Sequence, residues 1–109
     1  MQRGDVWWAS LPGAAGRRPV VLVSRASAYA ARTSVSVAEV STTIRGIASE
    51  VPLGKRDGLP RRCAANTDNL STVPMAWLAS KITSLSARRV HELDRALAFS
   101  LGLPFQDQG

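Results

Sequence analysis

Val20-Val21-Leu22-Val23 is the longest aliphatic run in the chain, and it restricts the fold more than any other stretch. Four consecutive apolar side chains place both faces of a strand against protein, so this strand needs cover on each side. Pro19 has no amide proton for a ladder and belongs at the first position of that strand, which Ser24 closes. Proline also drives its predecessor into extended geometry, so Arg18 stands at the mouth of a rigid core strand. Gly13 and Gly16 give the preceding loop its freedom. A guanidinium held this way is well aimed for a ligand. On this stretch alone, a solvated charge at a strand end is the plain alternative.

The rest of the chain supplies mainly strands to go with it. Val6-Trp7-Trp8-Ala9 is a short aromatic strand, closed by Ser10-Leu11-Pro12-Gly13. Neighbouring Trp7 and Trp8 face opposite ways, one toward a core and one toward a partner or groove. Ala26 to Ala31 reads as one or two helical turns capped by Ser24. Ser34 to Val40 alternates with period two, but Val40 breaks the parity of Val35 and Val37, which places a bulge or change of sheet near Glu39. Ser41 to Gly46 is a polar turn or strand end. Ser49 to Leu53 is a short strand that Pro52 marks as an edge. Cys63 to Asp68 is a strand of small residues, and Ala76 to Thr83 contains the last one.

The final helix is the clearest element. Ser86 caps it, and Val90, Leu93, Leu97 and Leu101 recur on one face. Gly102 supplies a left-handed stop, with Pro104 beyond it. Arg88, Arg89, Glu92 and Arg95 fall on the wet side. Strands followed by one closing helix predict an α+β domain, an antiparallel sheet curled over a helix. At 109 residues the chain is expected to form one domain over 1–109, and dimerisation is the expected way to enlarge its modest core.

Charge narrows the partners. The net charge is +6, and all but Lys55 and Lys81 of the 14 basic side chains are arginine. Arginine binds phosphate in a bidentate manner and stacks on bases, which favours nucleic acid over a generic cationic surface. Gly54 to Arg62 is a basic, glycine-flanked loop. With Arg45, its Lys55, Arg56, Arg61 and Arg62 form the densest basic region, suited to steering and phosphate contact. Trp77, with Trp7 or Trp8, offers a stacking platform for unpaired bases. Cys63 is the sole cysteine and His91 the sole histidine, which excludes an internal disulfide, a Cys- or His-rich metal site and a two-histidine acid–base pair. His91 lies among helix charges and is not expected to be catalytic. Arg3 and Asp5 interrupt any signal peptide, and no run is long enough to span a membrane, so a cytoplasmic protein is expected.

Arg3-Gly4-Asp5-Val6-Trp7, the Arg18-to-Ser24 stretch, Ser41-Thr42-Thr43 with Arg45-Gly46, and Asp68-Asn69-Leu70 follow one another in an order, spacing and total length that resemble the MazF/PemK family of toxin ribonucleases. The Ser100-to-Leu103 ending is similar too. The resemblance implies an SH3-like small barrel of mostly antiparallel strands with a C-terminal helix packed on it. It implies a homodimer, with single-stranded RNA in the dimer groove and a cognate MazE-like antitoxin whose acidic tail enters that groove. The RNA the resemblance implies is messenger RNA, with transfer or ribosomal RNA as alternatives. The implied reaction needs no cofactor or metal: the substrate's 2′-hydroxyl attacks the adjacent phosphate, leaving a 2′,3′-cyclic phosphate and a 5′-hydroxyl.

The residue types fit such chemistry. In-line attack builds charge on the phosphate oxygens, which a fixed Arg18 is suited to hold. The family's threonine falls on Ser41, with Thr42 the competitor for that role. Asp68 is the third catalytic candidate, able to orient a base edge, tune Arg18 or accept a proton. Kid-type members carry an arginine two residues before this acid, where this chain has Asn66. Arg17, Asn66 and Asn69 join the basic loop residues as RNA-binding candidates. A non-catalytic basic barrel that binds nucleic acid, or a poison of a protein target such as gyrase in the manner of CcdB, shares the same fold.

Overall fold

Strand β2 (Arg17–Leu22) runs between β1 (Asp5–Ser10) and β3 (Ser34–Ser41), antiparallel to both. The computed structural model describes residues 1–13 and 16–106. Ala14 and Ala15, in the middle of the loop expected between Gly13 and Gly16, lie outside the described residues. Val20, Val21 and Leu22 are fully buried, as a two-faced strand requires. Pro19 is the third residue of the strand rather than the first, because Arg17 and Arg18 already pair with Ser10 and Ala9. The β3 ladder starts only at Val20, so β2 is one-sided at Pro19, where a residue without an amide proton is tolerated.

Three further strands complete an antiparallel sheet in the order β4 (Glu50–Leu53), β5 (Cys63–Pro74), β3, β2, β1, β6 (Leu78–Ser84). The sheet is a curled half-barrel whose free edges are β4 and β6. Pro52 lies exposed on the β4 edge. Alternation divides the core between two faces. Val21 joins Val6, Val51, Leu53 and Cys63 beneath the C-terminal helix, while Val20 and Leu22 join Val35, Val37 and Val73 on the other face.

Val40 faces away from Val35 and Val37 by plain alternation, since it lies an odd number of residues from each. Val35 and Val37 enter the second cluster, whereas Val40 enters the one under the helix. The irregularity expected near Glu39 lies in β5 instead: Ala38 pairs with Leu70 but Glu39 pairs with Asn66. The extra residues, Thr67 to Asn69, belong to the partner strand. Thr67 turns inward, its buried hydroxyl meeting the Ser49 and Ala96 carbonyls at 2.6 and 3.1 Å. Asp68 and Asn69 stay exposed. Beyond this irregularity β5 resumes to Pro74, six residues past the end that the sequence suggested.

Helix α1 (Ala28–Ala31) begins after Ser27, and Ser24 is no cap; its hydroxyl instead accepts the Ser36 amide at 2.7 Å. Tyr29 donates to the Ser24 carbonyl at 3.0 Å, and burial pushes its phenol up to about 12. Helix α2 (Ala87–Leu101) starts at Ser86, which accepts the Arg89 amide, and stops at left-handed Gly102. Leu93 and Ala96 are its buried anchors, but Leu101 is 57% exposed and lies off the core face. Arg89 is not on the wet side either. Its guanidinium lies 2.9 Å from Asp57 and 2.8 Å from Glu92. Asp57 also accepts the Gly54 amide, so this ion pair fastens the short 3₁₀ turn at Lys55–Asp57 to α2. Gly58 follows with φ 95°, and a Cβ there would meet Thr83 at 2.5 Å, which holds the basic loop against β6.

Candidate active site

Arg18 opens onto three adjoining depressions at the end of β2. The first, of about 310 Å³, has an apolar floor of Trp8, Leu59 and Cys63, with Arg17, Arg61, Ser41 and Thr42 around it. The second, of about 480 Å³, lies toward the other face and includes Leu11, Trp77, Thr72 and Glu39. The third is small and polar, about 220 Å³, and collects Glu39, Ser41, Thr43, Arg45, Asn66 and Asn69 about Arg18. Strand geometry accounts for this convergence. Arg18 leads into β2, Ser41 ends β3 beside it, and the slip in β5 brings Asn66 and Asn69 to the same spot although neither is adjacent to the other in sequence.

Ser41 is the hydroxyl with the firmer position. Its Oγ accepts the Thr43 amide at 3.0 Å, a short hydroxyl turn that fixes the side chain and leaves its own proton free to donate. That hydrogen bond supplies the rigidity a threonine methyl would give. Ser41 lines the first and third depressions; Thr42 lines only the first. Glu50 shapes the adjoining turn, its carboxylate accepting the amides of Arg45 and Gly46 at 3.0 and 2.9 Å.

Asp68 stands elsewhere. Its carboxylate accepts the Ser100 hydroxyl at 2.8 Å, at the C-terminal end of α2, and it lines none of the three depressions. The hydroxyls of Ser49 and Ser100 hold this carboxyl below its usual range, although Ser49 Oγ, buried beside it, closes no hydrogen bond. Of the expected RNA-binding residues, the depressions take Arg17, Arg61, Arg45, Asn66, Asn69 and Trp77, whereas Lys55, Arg56 and Arg62 lie exposed on the loop outside them.

Two features escaped the sequence reading. Glu39 lines both the second and third depressions. Cys63 lies in the floor of the first depression, where burial, with Asp57 adding to it, pushes its thiol up.

A curled antiparallel sheet crossed by one helix, with an arginine-rimmed cleft at the end of a central strand, is the build of a small toxin of the MazF type. Residues 2–101 match the PemK-like, MazF-like toxin of type II toxin–antitoxin systems, and the chain belongs to that family. It is 42% identical over 96 residues, 87% of each chain, to a probable endoribonuclease MazF5 of Mycobacterium tuberculosis. To a probable endoribonuclease MazF2 of the same organism it is 36% identical over 103 residues, 94% of this chain and 99% of the relative. Among solved structures it is similar to the M. tuberculosis toxin MazF-mt6, with TM-score 0.84 and 31% identity over 93% of this chain and 99% of that one. A mycobacterial endoribonuclease in complex with its cognate antitoxin matches with TM-score 0.87 and 27% identity over 97% and 99% of the two chains.

Proposed function

We propose that this chain is a toxin endoribonuclease that cuts single-stranded RNA at chosen sequences, working as a homodimer restrained by a cognate antitoxin in the cytoplasm. The reading rests on one observation: Arg18 and Ser41 line the same small polar depression. In the proposed reaction a 2′-hydroxyl attacks the neighbouring phosphate, and negative charge grows on the equatorial oxygens. Arg18 holds that charge with parallel N–H donors, and the Ser41 hydroxyl adds a third. Arginine is a poor proton acceptor at neutral pH, so the role proposed for Arg18 is electrostatic.

The flanking depressions supply places for bases. Trp8 on one side and Trp77 on the other offer aromatic surface, and Asn66 and Asn69 offer amides for base edges. Arg17, Arg45 and Arg61 form no ion pair among the described residues and remain available for phosphates. The same cationic rim suits the acidic segment of an antitoxin, and the relative solved with its antitoxin supports that partner for this chain.

The test is a long defined transcript incubated with the protein in excess chelator, followed by analysis of the ends. Discrete cuts carrying 2′,3′-cyclic phosphate and 5′-hydroxyl groups are expected. Intact RNA bound by the protein would overturn the enzyme reading in favour of a binding module.

A further inference from the structure

We infer that Glu39 is the base that takes the proton from the attacking 2′-hydroxyl, an assignment that rests on the ribonuclease reading above. Arginine is a reluctant base, and the reaction is better served by an acceptor within reach of the same phosphate. The chain has eight acidic residues, and their positions narrow the choice. Asp5 is buried against Ser84; Asp57 and Glu92 hold Arg89; Asp94 holds Arg3. Glu50 closes the turn at residues 45 and 46, Asp68 holds Ser100, and Asp107 lies outside the described residues. Of the described carboxylates, Glu39 alone lines any of these three depressions with Arg18, and it lines two.

Its setting suits the task. The backbone of Glu39 is fixed on both sides, by Val20 of β2 and by Asn66 of β5, so the carboxylate is carried by the sheet and not by a loop. The side chain is half-buried, and it makes no ion pair within 4.0 Å among the described residues, although Arg18 and Arg45 share its depression. Guanidinium and carboxylate therefore face one cavity without neutralising each other. No other group there accepts a proton readily at neutral pH: the arginines and asparagines offer donors or amides, and Ser41 and Thr43 are weakly basic hydroxyls.

The step balances without a metal or an oxidant. The Glu39 carboxylate takes the 2′-hydroxyl proton as the 2′-oxygen bonds to phosphorus. The bond from phosphorus to the 5′-oxygen breaks, and that oxygen takes a proton from water. The hydroxide so formed is neutralised by the protonated Glu39, which restores the carboxylate.

Glu39→Gln keeps the shape and removes the base. On a defined RNA substrate kcat is expected to fall about 100-fold or more, with KM changed by less than about threefold. The loss should persist on RNA whose scissile 5′-oxygen is replaced by sulfur, because a thiolate leaves without a proton while the 2′-hydroxyl still has to lose one. Glu39→Asp should recover part of the rate. Rescue by sulfur would make Glu39 the acid and overturn the assignment, as would a change confined to KM, or a rate loss in Asp68→Asn but not in Glu39→Gln. Wild-type protein that leaves RNA intact sinks the ribonuclease reading itself; wild type and Glu39→Gln cutting equally sinks the role of Glu39 alone.

Discussion

Arg89 and Arg18 are the same residue in opposite circumstances. The guanidinium of Arg89 is 26% exposed and divided between Asp57 and Glu92, and these contacts raise its pKa further above the ordinary arginine value. Arg18 is exposed, paired with no carboxylate among the described residues, and surrounded by depressions large enough for nucleotides. Arg3 follows Arg89, lying 2.6 Å from Asp94, while Arg17, Arg45 and Arg61 follow Arg18. Basic residues near α2 therefore fasten the protein together, and those at the end of β2 are left with their charge unanswered.

Replacing one member of each set is the sharpest way to break this contrast. Arg18→Ala is expected to lower kcat about a thousandfold, with thermal or urea unfolding unchanged, since an exposed strand-mouth arginine contributes to the transition state and not to packing. Near-normal cutting by that variant would erase the distinction. Arg89→Ala should behave in reverse. Leaving Asp57 partly buried without its partner is expected to cost about 2 kcal/mol in urea unfolding, with kcat per folded molecule little altered. Neutralising Arg61 and Arg62 together is the mildest case. Affinity should drop for all RNA sequences alike, and the slope of log K against log salt should flatten by ~0.7 for each phosphate that is no longer neutralised. An unchanged slope would place both arginines outside the RNA path.

The sequence carried the fold further than the cleft, for reasons visible in particular residues. Val20 to Val23, Ser86 and Gly102 each act locally, through burial, capping and a left-handed backbone, and each can be read from its neighbours. The length of β5 could not be read, because Asp68-Asn69 has the composition of a strand end while lying in the middle of a strand. Arg18 and Ser41 are partners by resemblance alone at the level of sequence; that they line one depression depends on the β2–β3 pairing. Glu39 gives no such signal, because an acid in an alternating strand looks like a solvated position until β5 slips beside it. Leu101 errs the other way, since helical spacing alone does not reveal where the sheet beneath a helix ends.

Asp68 and Asn69 stand outside the ladder, with Thr67 anchored inward just before them. β5 is in this respect a pair of clamps joined by slack. One clamp holds β4 and the far end of β3, the other holds the near end of β3, and neither measures the length between them. A change of length at Asp68-Asn69 is expected to redraw the wall of the smallest of the three depressions, which Asn66 and Asn69 line. Variation there would reshape the edge of the cleft away from the two apolar clusters that hold the sheet together.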